Sequence, residues 1–208
     1  MITIEDYQAE VQAWNALFIR CVEDYHRTDD IDAKQPEIPI AALALFYEKC
    51  WIDTVQWHLE DEIRRPDIDP SYGMQMKRRI DQSNQQRTDR VEQIDDWFMQ
   101  RFTDVVPEPN ARLNTESPAW AVDRLSILAL KIYHMQVEVA REDADEAHIA
   151  KCRAKLEVLL QQREDLSLSI AQLLEDLHHG KRVMKVYRQM KMYNDPNLNP
   201  VLYKKRSL

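Results

Sequence analysis

Two histidines each stand four residues before a glutamate: His58 with Glu62, inside Trp57-His58-Leu59-Glu60-Asp61-Glu62-Ile63-Arg64, and His134 with Glu138. On a helix, that spacing projects an imidazole and a carboxylate from adjacent turns of one face. Two such pairs meeting across a helical bundle would offer two nitrogens and two carboxylates to a divalent transition metal, with coordination left open for water or substrate. The metal set read from spacing is therefore His58, Glu62, His134 and Glu138. The spacing differs from the Glu-x-x-His of di-metal bundles, and the plainer alternative is that each histidine is satisfied by a neighbouring carboxylate or carbonyl and simply packs.

Other polar residues fall where an apolar core phase expects hydrocarbon. Between Ile80 and Val91 the core phase passes through Asn84 and Arg87, and further on it passes through Arg163. An unpaired buried guanidinium is costly, so each arginine must reach solvent, pair with a carboxylate, or receive an anionic ligand. If these side chains converge with the histidines, the candidate polar pocket comprises His58, Asp61, Glu62, Asn84, Arg87, Asp123, His134, Glu138 and Arg163. No Ser-His-Asp order or Cys-His pairing can be placed, so no catalytic residue is assigned.

The elements that must position these groups are helical. After a Thr3/Asp6 capping box, Ile4, Tyr7, Val11, Trp14, Phe18, Cys21 and Tyr25 alternate steps of three and four, which predicts the first helix. Pro36 and Pro39 bracket the turn into a second helix running to about Arg64. Asp69 caps a third, with Pro70 in its first turn, reaching about Phe102. A loop over 103–116 leads to Ser117-Pro118 and the fourth helix, which is apolar on two faces and so belongs at the centre of a bundle. On its second face Asp123, His134 and Glu138 accompany Ile127, Leu130 and Val137. An Asp143/Glu146 capping pattern opens a long fifth helix that closes at His178-His179-Gly180. A shorter basic helix, with Val183, Tyr187 and Met190 on one face, and an irregular basic tail over 194–208 complete the reading. The expected fold is all-α: a bundle of five main helices plus a short basic C-terminal helix, forming a single domain over 1–208.

With only two glycines, the chain lacks the Gly-rich loops of nucleotide-binding α/β folds. There is no stretch of roughly 20 apolar residues to span a bilayer and no secretory pattern, so a cytoplasmic location is expected. Cys21, Cys50 and Cys152 are dispersed, as reduced structural thiols are. The net charge of −8 is uneven: from Lys181 onward eight basic residues oppose Asp195 alone, leaving +7 there and −15 on the remainder. Lys181, Arg182, Lys185, Arg188 and Lys191 could capture a protein partner or an anionic ligand, or fold back onto the acidic body. An acidic chain whose basic end has few interleaved aromatics disfavours nucleic acid.

At Trp57-His58-Leu59-Glu60-Asp61 with Arg64, at Asp123-Arg124-Leu125-Ser126-Ile127 through Lys131, Tyr133, His134 and Met135, and at Thr115-Glu116-Ser117-Pro118, the sequence resembles a bacterial family, domain of unknown function 4254. The resemblance extends from about Tyr25 to Tyr203 and carries no activity with it. It implies Asn near Asp53 in other members, which weighs against Asp53 as a ligand, and at most a role near envelope polysaccharide synthesis.

The leading expectation is an accessory, partner-binding helical protein, in a setting of envelope glycan assembly, acting through the basic end. The rival is an enzyme or ligand-binding protein with a His/carboxylate/Arg pocket and a divalent metal as its cofactor. Homo-oligomerisation stays open. The two readings part on one distance: a shared metal requires His58 and His134 within roughly 10 Å of each other.

Overall fold

The first turns of the helices are fixed by side chains the sequence supplies for the purpose. In the computed structural model, which describes residues 2–38, 41–192 and 195–203, Asp6 Oδ2 accepts from the Thr3 N–H at 2.9 Å to open α1 (Ile4–His26). Asp69 accepts from the Ser71 and Tyr72 N–H groups, with Pro70 at the first position of α3 (Pro70–Arg101). Pro118 follows Ser117 at the start of α4 (Pro118–Val139). Between these lies α2 (Ala41–Glu62), and α5 (Glu146–His178) closes the main set. Pro39, expected in the turn before α2, lies outside the described residues.

The α5 cap is Asp145, which accepts from the His148 N–H at 2.7 Å. Asp143, expected in that role, is instead paired with Arg141 at 2.9 Å. An arginine two residues away offers a charged partner that an N-cap position does not.

One cluster of buried side chains draws on all five helices, including Trp14 and Phe18 of α1, Phe46 and Tyr47 of α2, Ile94 and Phe98 of α3, Val122, Leu125 and Leu130 of α4, and Ile170 and Leu174 of α5. Trp14 stacks on Phe46 with ring centroids 5.1 Å apart. α4 contacts each of the other four long helices, and from Ala119 to Ile132 it is buried on most sides, as its two apolar faces require. Among the described residues the fold is all-α apart from two short strands, and no helix is long and apolar enough to cross a membrane. The three cysteines are free and buried.

The basic helix expected after Gly180 does not form. Gly180 adopts φ 68°, and its carbonyl accepts from the Glu108 N–H at 2.8 Å. The chain then runs extended: β2 (Arg182–Val183) pairs in parallel with β1 (Arg112–Leu113), which satisfies backbone groups of the long 103–116 loop. Beyond β2 the chain continues as a strap over α3. In the tail, expected to be irregular throughout, a short helix α6 (Pro200–Tyr203) forms, with Asn199 Oδ1 accepting from the Val201 N–H at 3.0 Å. Asn194 and the basic residues Lys204, Lys205 and Arg206 lie outside the described residues.

A Cβ at position 180 would stand 2.6 Å from the Val106 carbonyl oxygen, and the positive φ adds strain. Gly180→Ala is therefore expected to cost more than about 1 kcal/mol, lowering Tm by at least about 2–4 °C in thermal melts followed by circular dichroism.

Candidate functional site

The deepest polar feature is a four-charge network between α2, α3 and α4. Lys49 of α2 is fully buried, and its ammonium reaches Asp53 one turn on, the Asp123 carboxylate at 2.7 Å and the Asp123 carbonyl at 3.1 Å. Arg87 of α3 donates through Nε to Asp53 at 3.0 Å and through Nη2 to both Asp123 oxygens at 2.7 and 2.6 Å. Ser126 completes the set by donating to Asp53 at 2.7 Å. Burial raises the Asp53 carboxyl above its ordinary range, and the cations Lys49 and Arg87 oppose that shift. Two acids and two bases cancel, so the network is internally neutral. Arg87 also lines a cavity of about 350 Å³ with Asp53, Gln56, Trp57 and Asp61.

The second feature is a histidine cluster. His26 from the last turn of α1, His58 of α2 and His134 of α4 each present a ring nitrogen, and these atoms all lie within 4.8 Å of one another. His26 Nδ1 stands 2.7 Å from the Val22 carbonyl oxygen, so Nδ1–H donates there and Nε2 keeps its lone pair. That Nε2 is 3.2 Å from His58 Nε2, and His134 Nε2 is buried with no hydrogen-bond partner among the described residues. Aromatic rings hold the imidazoles in place: Tyr25 stacks on His58 at 4.8 Å, Tyr133 lies 4.1 Å from His26, and Trp57 stacks on His134 at 4.7 Å. Burial, then the His26 and His58 rings, pushes His134 down to about 4. Burial and His26 lower His58 likewise, so both rings are neutral near pH 7.

The structure thus splits the residues singled out by spacing. His58 and His134 do come together, their ring centroids 5.5 Å apart. Neither glutamate joins them. Glu62 pairs with Arg65 at 3.4 Å, while Glu138 pairs with Arg141 at 3.1 Å and lies 3.0 Å from His148. Their four-residue offset places each carboxylate one turn farther along, within reach of closer arginines, and His26 takes the third place. Arg87, Asp123 and Asp61 belong to the network and its cavity. Asn84 accepts at 2.8 Å from Gln56, which lines that cavity, and Arg163 lies 3.7 Å from Glu164, with no hydrogen bond or ion pair to either centre among the described residues.

Lys49, Asp53, Ser126 and His26 escaped the spacing argument. For Lys49 and Asp53 a signal existed, since they are one turn apart among Phe46, Tyr47, Cys50 and Thr54 in a segment buried on nearly every side. For His26 the only hint was its place beside Tyr25 at the end of the α1 seam.

The basic end largely folds back onto α3. Arg188 pairs with Asp96 and Glu92, and Lys191 donates to Thr88 at 2.6 Å and to the Asn84 carbonyl at 3.1 Å, while Arg182 pairs with Asp176 of α5. Lys181 and Lys185 remain exposed.

A family model described as "Protein of unknown function (DUF4254)" matches residues 43–186, which run from the first turn of α2 past β2 and exclude α1 with His26. No curated protein and no solved structure matches the chain.

Two outcomes follow from these geometries. Lys49→Ala leaves two buried carboxylates facing one guanidinium and is expected to destabilise the fold by about 3–5 kcal/mol in urea titrations, and Lys49→Ala combined with Asp53→Ala is expected to cost less than the sum of the two single substitutions. The depressed His134 value gives a pH effect of definite sign. An unfolded imidazole binds its proton near pH 6.5 and the folded His134 only near pH 4, so stability is full above about pH 6.5 and falls as the pH drops toward 4. With allowance for the partly exposed ring, the loss is about 1–2 kcal/mol, and His134→Gln should remove that part of the pH dependence of Tm.

Proposed function

The chain belongs to the DUF4254 family, whose description names no activity, and we propose that this chain binds a divalent transition metal through His26, His58 and His134. The observation that carries the reading is the convergence of three imidazole nitrogens from three helices, one of them buried without a partner. A buried polar atom with no hydrogen bond calls for a reason, and a metal ion is one. Metal binding also requires neutral rings, which the depressed values of His58 and His134 supply, and an oriented tautomer, which the Val22 carbonyl supplies at His26.

His26, His58 and His134 would hold the ion through their ring nitrogens, and zinc held there would supply Lewis-acid chemistry suited to hydrolysis or hydration of a carbonyl or phosphoryl group. Asp29 and Asp61 are the carboxylates whose charge is felt at His58. They favour a cation at the cluster.

A partner-binding role rests on a separate observation. With Arg188 and Lys191 tied to α3, the strap leaves Tyr187 and Met190 at 78% and 90% exposure. These two side chains, with Lys185, are what the strap offers to a protein partner. Placement in envelope glycan assembly rests on the family resemblance alone.

The metal reading is tested by zinc and cobalt titration of the full chain, in a Cys152→Ser background that removes a thiol from the Glu138/His148/Cys152 group. One equivalent should bind and, at about 100-fold excess over Kd, raise Tm by roughly 5–10 °C. His26→Ala, His58→Ala and His134→Ala should each abolish the shift while helicity is kept, and Glu62→Gln should not. Stoichiometric binding that survives His134→Ala, or none in the parent chain, would overturn the assignment.

A further inference from the structure

Lys151, Ala154, Lys155, Val158 and Leu159 recur on α5 at the spacing of a single helical face, and this face is not the one given to the core. With Met135 and Lys131 of α4 and Trp57 of α2, it lines an open groove of about 730 Å³. The groove surface is mostly hydrocarbon, and Val158 is 57% exposed within it. A continuous apolar surface of this kind marks a binding site more often than a bare face.

The charges around the groove narrow the occupant. None of the Lys131, Lys151 and Lys155 ammonium groups has an ion-pair or hydrogen-bond partner among the described residues, and Glu138, the acid at the groove, is engaged with Arg141 and His148. Three unpaired cations around hydrocarbon are complementary to an apolar chain ending in an anion. Lysine stems extend the apolar floor while their ammonium groups stay in water, which is the arrangement such a ligand needs. Twofold pairing of this face with a second copy would set lysines against lysines.

We propose that the α4/α5 groove binds a free long-chain carboxylate, its alkyl chain against Trp57, Met135, Val158 and Leu159 and its carboxylate among Lys131, Lys151 and Lys155. The site adjoins His134 but does not rest on the metal reading, and chelator-treated protein therefore tests it separately.

The probe is dodecanoate below its micellar concentration, titrated calorimetrically into the full chain in the presence of EDTA. One saturable site is expected, with affinity rising about three- to tenfold for each added pair of methylenes from octanoate to dodecanoate. Dodecanol should bind at least tenfold more weakly, Lys131→Gln with Lys155→Gln should cost dodecanoate three- to tenfold, and Val158→Asp should abolish binding with helicity unchanged. The proposal is overturned if dodecanoate does not saturate, or if dodecanol binds equally well and the lysine substitutions have no effect. It is equally overturned if anionic phosphatidylglycerol vesicles are captured where monomeric dodecanoate is not. Self-association in sedimentation that Val158→Asp disrupts and dodecanoate leaves untouched would assign the groove to a second copy instead.

Discussion

The burial of Lys49 constrains the rest of the molecule. An ammonium with no solvent exposure must be met by charge and hydrogen bonds in place, and here α2 and α4 supply them through Asp53 and Asp123, with Arg87 bridging from α3. Such a network adds little net stability over a well-packed apolar substitute. Its force lies in the penalty on any register that breaks it, because a slip of α2 against α4 would strand a charge in hydrocarbon. The network therefore sets the alignment of the two helices that also carry His58 and His134. His134 stands eleven positions after Asp123, three turns along one face of α4, so fixing the first side chain aims the second.

The histidine cluster depends on that alignment and on the last turn of α1. Three imidazoles held this close cannot all be charged, and burial further weakens His58 and His134 as bases. Stacked aromatic rings and the Val22 carbonyl hold them where a mobile surface histidine would turn away to water. The arrangement gathers lone pairs at one point. A helical bundle gains nothing in stability from that.

Much of this was legible in the sequence, and the failures share a cause. Helix boundaries followed from local chemistry: Asp69 with Pro70, Ser117 with Pro118, and Gly180 each act within a few residues. The centrality of α4 followed from its two apolar faces. Spacing along one helix also found His58 and His134, but it proposed Glu62 and Glu138 because it sees only neighbours on the same helix, whereas His26 arrives from α1 through tertiary packing. Lys49 was missed because a lysine in an apolar segment is ordinarily read as reaching solvent, and Asp53 was set aside because the family resemblance, implying Asn near that position, weighed against it. The basic segment after Gly180 has helical periodicity, yet unpaired backbone in the 103–116 loop and acidic residues on α3 draw it out as a strand and strap.

The two polar centres are compatible because the deeper one is neutral. Free cations at Lys49 and Arg87 would oppose a positive ion on the nearby histidines; paired with Asp53 and Asp123, they add little field there. The charges that bear on His58 and His134 are those of the histidines themselves and of Asp29, with Asp61 acting on His58. Trp57, lining the Arg87 cavity on one side and stacking on His134 at the edge of the groove, separates the two electrostatic environments. The same short stretch of α2 thus keeps a rigid neutral clamp apart from a cluster of imidazoles placed to accept a cation, and the separation lets one bundle hold both.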